Sequence, residues 1–551
     1  MRSWILWLGC LLAARADEDK RPYIYYANIH HNESVEHNVY LTPDLQNMPI
    51  ASDHLGLRPP LPRIPKEFDF FVAISSYRDG VRCGYAVWTA FARAANPERI
   101  FLGIVDQTQQ DDPKCLDEYC RRAKESWPND DCKYKDHIKI DALNAKNSKG
   151  PAVARSRQAA MMENQEFCMS IDAHTQFVYD WDKYIVEDFK RTENEMAVLT
   201  TYPLSYYHLG PNFTLPTVQS RHLCMYGKRN LPGDIPILWP TFITNSERPQ
   251  LQAFWGGGMS FSKCHAERRA PIDGRLTWVF MGEEYVRAMQ LWTRGYDLYS
   301  PSVHGSVLLH NYTGDNTGTK PDFFENAKNN DARPLEELKG YNRLRSALKF
   351  PFQGEMDGSE MEKYYGGSVR TLEQYLEFSK VSNVDPVHLD DWPCEQLHWV
   401  PYAVPEIIEQ LLPGWKMRPS LSPFKNEDDA SVDTKNSLDQ LQTDIDAIKQ
   451  RLDGGVTTEH IETINTQLKS LLERSENAAA PPVPSQADNL IETLLKDEEA
   501  KWQAMLDQQH QDMVTITVIG SLLGLTVLIV VWTTRNNPQS YKPVAVDSAV
   551  P

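Results

Sequence analysis

From residue 68 onward the chain alternates short apolar runs with amphipathic stretches. The runs at 68–75, 99–105, 137–142, 167–172 and 196–201 have the length and apolar content of buried strands. Between them, 84–95, 151–164 and 181–191 place apolar residues at helical spacing. Buried strands alternating with helices predict an α/β fold with a largely parallel, two-sided sheet, whose ligands gather at the carboxyl ends of the strands. Asp106 and Asp172 stand at two such ends. The stretch 203–246, rich in Pro, Tyr and Gly, reads as loops. Beyond it, Phe254-Trp-Gly-Gly-Gly-Met-Ser-Phe261 joins a glycine cluster to a short strand, and 283–293 reads as a helix stopped by Gly295.

The flanking regions follow other patterns. Arg2, an apolar run and Ala14-Arg15-Ala16 have the layout of a signal peptide over 1–16. Residues 17–66 are polar, punctuated by Pro, and read as an extended arm. The body divides into 67–320 and a C-terminal part, 321–420. Within 421–512, apolar residues at 438, 441, 445, 448 and 452 keep a heptad rhythm that Gly454-Gly455 interrupts, and a Pro-rich linker follows. That region reads as a helical stalk and a candidate homodimer contact. Residues 513–534 carry no charge and are long enough for one transmembrane helix; Arg535 and Lys542 lie in the tail, 535–551. The expected topology is single-pass type I, with the body in the ER or Golgi lumen or at the cell surface and the tail cytosolic.

A net charge of −18 excludes a nucleic-acid partner, which would need a basic surface. Eight cysteines remain once Cys10 leaves with the signal segment, an even number that suits disulfides in an oxidising compartment. Their connectivity stays open. Cys115, Cys120 and Cys132 are close enough to staple one loop, and Cys168, inside a strand, reads as a buried thiol. Sequons stand at Asn32, Asn212 and Asn311.

Asp172 and His174, two residues apart at a strand end, would face one point if the strand continued. A carboxylate and an imidazole there suit Mn²⁺ or Mg²⁺ with positions left for phosphate oxygens. Alone the pair is a weak signal; its surroundings give it weight. Arg155 and Arg157 start the preceding helix, where a cation and the helix amino end both favour phosphate. Ser75-Ser76-Tyr77-Arg78-Asp79 offers polar groups for a base and ribose, and Glu283 and Glu284 offer carboxylates for sugar hydroxyls.

Taken in order, Ile74-Ser-Ser-Tyr-Arg-Asp79, Gly150-Pro-Ala-Val-Ala-Arg155, Ile171-Asp-Ala-His-Thr-Gln-Phe177 with Trp181-Asp182, Gly282-Glu-Glu284, Gly295-Tyr-Asp-Leu-Tyr-Ser-Pro301, His310-Asn-Tyr312 and Arg370-Thr-Leu-Glu-Gln-Tyr375 form a specific set. This set, over about 68–378, resembles the protozoan and fungal polypeptide α-N-acetylglucosaminyltransferases. It is more distantly similar to the mucin-type polypeptide N-acetylgalactosaminyltransferases. The resemblance implies a GT-A fold, a UDP-sugar donor, Mn²⁺ or a similar ion, and transfer with retained anomeric configuration to a Ser, Thr or hydroxyproline hydroxyl of a protein acceptor. It implies Asp172, His174 and His310 as metal ligands, with His304 nearby as the alternative third. It further implies that Arg155 supports the departing UDP, that Asp79 and Asp106 contact uridine, and that Glu283 or Glu284 holds the donor sugar or acceptor hydroxyl. A glycan on Asn311 would crowd such a site, so that sequon is expected to be unmodified. Another donor sugar, or a binding protein on a degenerate transferase domain, are the competing readings.

Overall fold

The computed structural model describes residues 20–418, apart from 31–32, 52–55, 217–218, 228–233, 313–322, 327–329 and 384–391. The proposed signal peptide, stalk, membrane span and tail lie outside the described residues, as does the sequon at Asn32. Among the described residues no helix is long and apolar enough to cross a membrane.

In chain order the strands are β1 (Tyr23–His30), β2 (Glu33–Tyr40), β3 (Phe70–Tyr77), β4 (Ile100–Thr108), β5 (Ile138–Asn144), β6 (Phe167–Asp172), β7 (Thr175–Phe177), β8 (Ala197–Thr201), β9 (Leu204–Ser205), β10 (Gln219–Gly227), β11 (Ile237–Thr244), β12 (Gln250–Gln252), β13 (Met259–Lys263), β14 (Asp297–Ser300) and β15 (Leu308–His310). Eight of them form the central sheet in the order β12-β14-β8-β13-β6-β3-β4-β5. β3, β4, β5 and β6 run parallel, while β13 lies antiparallel between β6 and β8. The largely parallel, helix-covered sheet read from the apolar runs is therefore present, with β13 and β12 as the reversed members.

Burial on both faces explains why the runs of β3, β4, β6 and β8 lack polar alternation, whereas β5, read as a buried strand, lies at the sheet edge with none of its residues buried. Beneath the sheet, Phe167 stacks on Phe261 with ring centroids 5.2 Å apart, and Phe70 meets Trp181 edge-on at 5.5 Å. Trp181 opens the helix Trp181–Arg191, whose Asp182 is buried and accepts hydrogen bonds from the amides of Ala95 (2.7 Å) and Asn96 (2.9 Å). The helices Gly80–Ala92 and Cys115–Ser126 pack tightly because Gly84 has no side chain: a Cβ there would come within 2.7 Å of Glu118. The Cys83–Cys115 disulfide fastens the same contact.

All eight cysteines pair, as Cys83–Cys115, Cys120–Cys132, Cys168–Cys264 and Cys224–Cys394. Cys168 is thus no free thiol: β13 lies beside β6 in register and delivers Cys264, the residue after Lys263, next to it.

The stretch 203–246 is not all loop. It contributes β10 and β11, which join β1 and β2 in a four-stranded sheet ordered β10-β11-β1-β2. The N-terminal arm is correspondingly folded in: Gln46 bonds to Pro249 and Leu251, and its carbonyl accepts from the Trp399 amide at 2.7 Å.

Candidate active site

β6 carries Asp172 at its carboxyl end, and the chain then bends through Ala173 and His174 before β7. The bend replaces the continued strand that the spacing implied. What joins the two side chains to a third is the small sheet β7-β15-β9, in which His310 pairs with Thr175 and the Asn311 amide donates to the His174 carbonyl at 2.9 Å. The ligand atoms of Asp172, His174 and His310 consequently lie within 4.8 Å of one another. His304 takes no part; its Nε2 bonds to Glu247 at 2.5 Å on the surface.

The donor set fits a small divalent cation. One carboxylate and two imidazoles converge from one side, as for a hard-to-borderline ion that keeps positions for other oxygens. His310 Nε2 is 3.2 Å from Asp172 Oδ2, and His174 Nδ1 is 3.2 Å from Asp79 Oδ2, which leaves His174 Nε2 for a metal. Burial works against the Asp172 charge, but the His310 hydrogen bond, His174 and Arg155 together hold its carboxyl well below the usual carboxylate range.

Arg155 bridges this triad to a pair of acids. Its guanidinium donates to Glu283 at 2.6 Å, to the Gly257 carbonyl at 3.3 Å and to Asp172 at 3.4 Å. A Cβ on Gly257 would sit 2.7 Å from an Arg155 nitrogen, so any side chain there would push the guanidinium aside. The Gly257 amide in turn donates to Glu284 at 2.7 Å, and Tyr202 donates its hydroxyl to the other Glu284 oxygen. Burial pushes Glu283 up to about 7, with Arg155 opposing it, and raises Glu284 as well. The result is a cation, one buried and one half-buried acid, and a three-ligand cluster at the carboxyl end of the sheet.

A family model described as glycosyltransferase (GlcNAc) matches residues 69–385, more than half of the chain. The chain belongs to the glycosyltransferase (GlcNAc) family. No curated protein matches it. Among solved structures, this glycosyltransferase is similar to GalNAc-T7 with UDP, GalNAc and Mn²⁺ (12% identity, TM-score 0.37, covering 57% of this chain and 57% of that one). It is also similar to S. aureus TarS 1–349 in complex with UDP-GlcNAc (12%, 0.29, covering 56% and 81%). A third is the mannosyltransferase PcManGT from Pyrobaculum calidifontis in complex with GDP-Man and Mn²⁺ (12%, 0.28, covering 58% and 75%). The chain spans little more than half the length of the first of these.

The remaining site residues of the glycosyltransferase fall into two groups. Ser76 and Asp106 face each other in register on β3 and β4, where burial raises the Asp106 carboxyl and the Cys115 amide, 3.0 Å away, opposes that. Arg78 is bound by both oxygens of Asp112, at 2.7 and 2.9 Å, and Asp79 by Arg82 as well as His174. Arg157 is not brought to the triad. It pairs with Asp141 at 2.5 and 3.0 Å on the exposed side of its helix, because residues two apart on a helix point about 200° apart. Tyr202 was missed by sequence reasoning; its signal is its place directly after the apolar strand β8.

Proposed function

We propose that the protein moves N-acetylglucosamine from UDP-N-acetylglucosamine to a hydroxyl of a Ser, Thr or hydroxyproline in a protein acceptor, with retention of configuration. The observation that carries this reading is the convergence of Asp172, His174 and His310 with Arg155 and Glu283 at the carboxyl end of β6. A divalent ion bound by the three ligands would supply Lewis-acid charge stabilisation for a departing diphosphate. Arg155, pre-positioned by Glu283 and the Gly257 carbonyl, adds a fixed positive charge on the same side, and a buried preset charge needs little reorganisation. Asp79 holds the His174 ring in place through Nδ1. Glu284, gripped by the Gly257 amide and Tyr202, presents a fixed carboxylate edge to donor hydroxyls. The match to the glycosyltransferase (GlcNAc) family model supports the choice of donor class.

In the same reading the body is lumenal and 513–534 anchors it. Four disulfides that use every cysteine of the body support an oxidising compartment. Protease protection of a tagged tail in sealed microsomes checks the topology.

The decisive experiment measures Mn²⁺-dependent turnover of UDP-GlcNAc, UDP-GalNAc and UDP-glucose by the full-length chain in detergent. UDP-GlcNAc is expected to be preferred, with activity lost in Asp172→Asn. Absence of turnover for every donor, or an Asp172→Asn enzyme equal to the unaltered one, overturns the reading.

A further inference from the structure

One cation at the edge of the site has no task in the chemistry above. Arg221 lies on β10 opposite Phe242 of β11, and its carbonyl accepts from Thr201 Oγ1 at 3.4 Å. Thr201 ends β8, and the next two residues belong to the site: Tyr202 donates to Glu284, and the Pro203 carbonyl accepts from the Tyr312 hydroxyl at 2.7 Å. Tyr312 packs on His310 with ring centroids 4.0 Å apart, yet stays 51% exposed, so it forms the open rim of the site. Leu223, two residues after Arg221, packs against the glycine cluster, where a Cβ on Gly256 would come within 2.8 Å of it. β10 therefore runs along the rim on the Tyr202 and Tyr312 side.

The guanidinium of Arg221 sits 4.3 Å over the Phe242 ring, and its Nε is buried without a hydrogen-bond partner. Several buried arginines, Arg93, Arg287, Arg343 and Arg370 among them, also keep one nitrogen unmatched, but each has an oxygen partner elsewhere on its guanidinium. Arg155, Arg287, Arg343 and Arg370 meet carboxylates, while Arg93 and Arg294 are held by carbonyl oxygens. For Arg221 no carboxylate serves among the described residues, although the chain carries 75 acidic residues against 57 Lys and Arg. A desolvated donor left unmatched is costly, so its retention points to an anion that arrives from outside. Burial draws the guanidinium below its ordinary pKa, and Tyr312 is the group that opposes this. Arg221 thus stands on the Thr201 and Tyr312 side of the site.

We propose that Arg221 is a specificity residue that binds an anionic group, carboxylate or phosphate, on the peptide acceptor beside the hydroxyl that receives the sugar. The inference rests on the transferase reading given above. A planar guanidinium with one face on an aromatic ring suits bidentate recognition of either anion.

The test uses full-length enzyme, UDP-GlcNAc and matched Thr-containing peptides whose neighbouring residue is Asp, Asn, phosphoserine or Lys. The Asp and phosphoserine peptides are expected to show a KM about tenfold below that of the Asn peptide, and their ratio says which anion is preferred. In Arg221→Gln that advantage disappears while the KM for UDP-GlcNAc stays within about twofold, and Arg221→Glu transfers the preference to the Lys peptide. Equal KM values for all peptides with the unaltered enzyme overturn the proposal, and need no variant to fold. A donor KM raised in Arg221→Gln instead assigns the residue to the diphosphate and overturns it too, as does a preference for an anionic polysaccharide over every peptide. Absence of UDP-GlcNAc turnover by the unaltered enzyme with every peptide, and of donor hydrolysis without one, overturns the transferase reading itself and this inference with it, a result distinct from equal KM values among peptides that are turned over.

Discussion

His310 and His304 are six residues apart, both beside the small sheet, yet only one faces Asp172. Register decides between them: His310 pairs with Thr175, whereas His304 sits in a surface turn bonded to Glu247. His310→Ala is expected to lose Mn²⁺-stimulated turnover by about 100-fold or more, and His304→Ala to stay within about twofold, in steady-state assays across Mn²⁺ concentration. Asp79 supplies a finer test. Because it holds His174 Nδ1 rather than binding an ion itself, Asp79→Asn should raise the Mn²⁺ concentration for half-maximal activity by about 10–100-fold, with a smaller effect on kcat at saturating metal. At this scale the sequence was readable where a residue's role depends on its chain neighbours, as for Asp172 at a strand end. It was less readable where the role depends on rotation about a helix. Arg155 and Arg157 look alike in a string of letters, but only the first turns inward.

Among the elements, the helix Trp181–Arg191 shows how much of a family motif is scaffold. Asp182 accepts from two backbone amides and the Asn96 side chain while buried, so Asp182→Ala leaves several donors unmatched and should cost about 3 kcal/mol in a denaturant melt. Six residues later in the same helix, Asp188 is buried against Ser302, which donates its amide at 2.9 Å and also its hydroxyl. Burial nevertheless pushes Asp188 up to about 6. A carboxyl raised on folding binds its proton more tightly in the native state, so its contribution is favourable below the unfolded pKa and is lost as pH rises through about 6. Between pH 4 and 7 the unaltered protein should therefore lose more stability than Asp188→Asn, seen as converging or crossing melting temperatures in a pH series. The inner strands β3, β4, β6 and β8 were legible because two-sided burial demands continuous apolar runs, whereas the short β12 and β14 were not. Nor were β10 and β11. They carry His222, Arg221 and Pro240, and a register shift between His222 and Met225 lies opposite Pro240, where a missing amide does least harm to the ladder. The motif Arg370-Thr-Leu-Glu-Gln-Tyr375 proves structural as well: Arg370 is buried against Asp297 at 2.8 Å, and Thr371 and Gln374 form a capping box.

For the molecule as a whole, the Cys224–Cys394 disulfide fastens β10 to the far end of the described body across a sequence separation of 170. The double variant Cys224→Ala/Cys394→Ala should lose about 2–4 kcal/mol in denaturant unfolding without reductant, with the other three bridges intact by mass mapping. Pairings between such distant segments were beyond the reach of the sequence, since eight cysteines fit many frameworks and only the packing of the folded strands, helices and loops selects one. The four-stranded sheet imposes a similar span on β1, because Tyr23 pairs with Thr244. A ribosome making about 5–20 residues per second must work for roughly 10–40 s after releasing the first segment before its partner exists. The amino-terminal hairpin is therefore the earliest part of the body to emerge and among the last to be seated, and in that interval its edge is open to whichever chaperone waits at the exit.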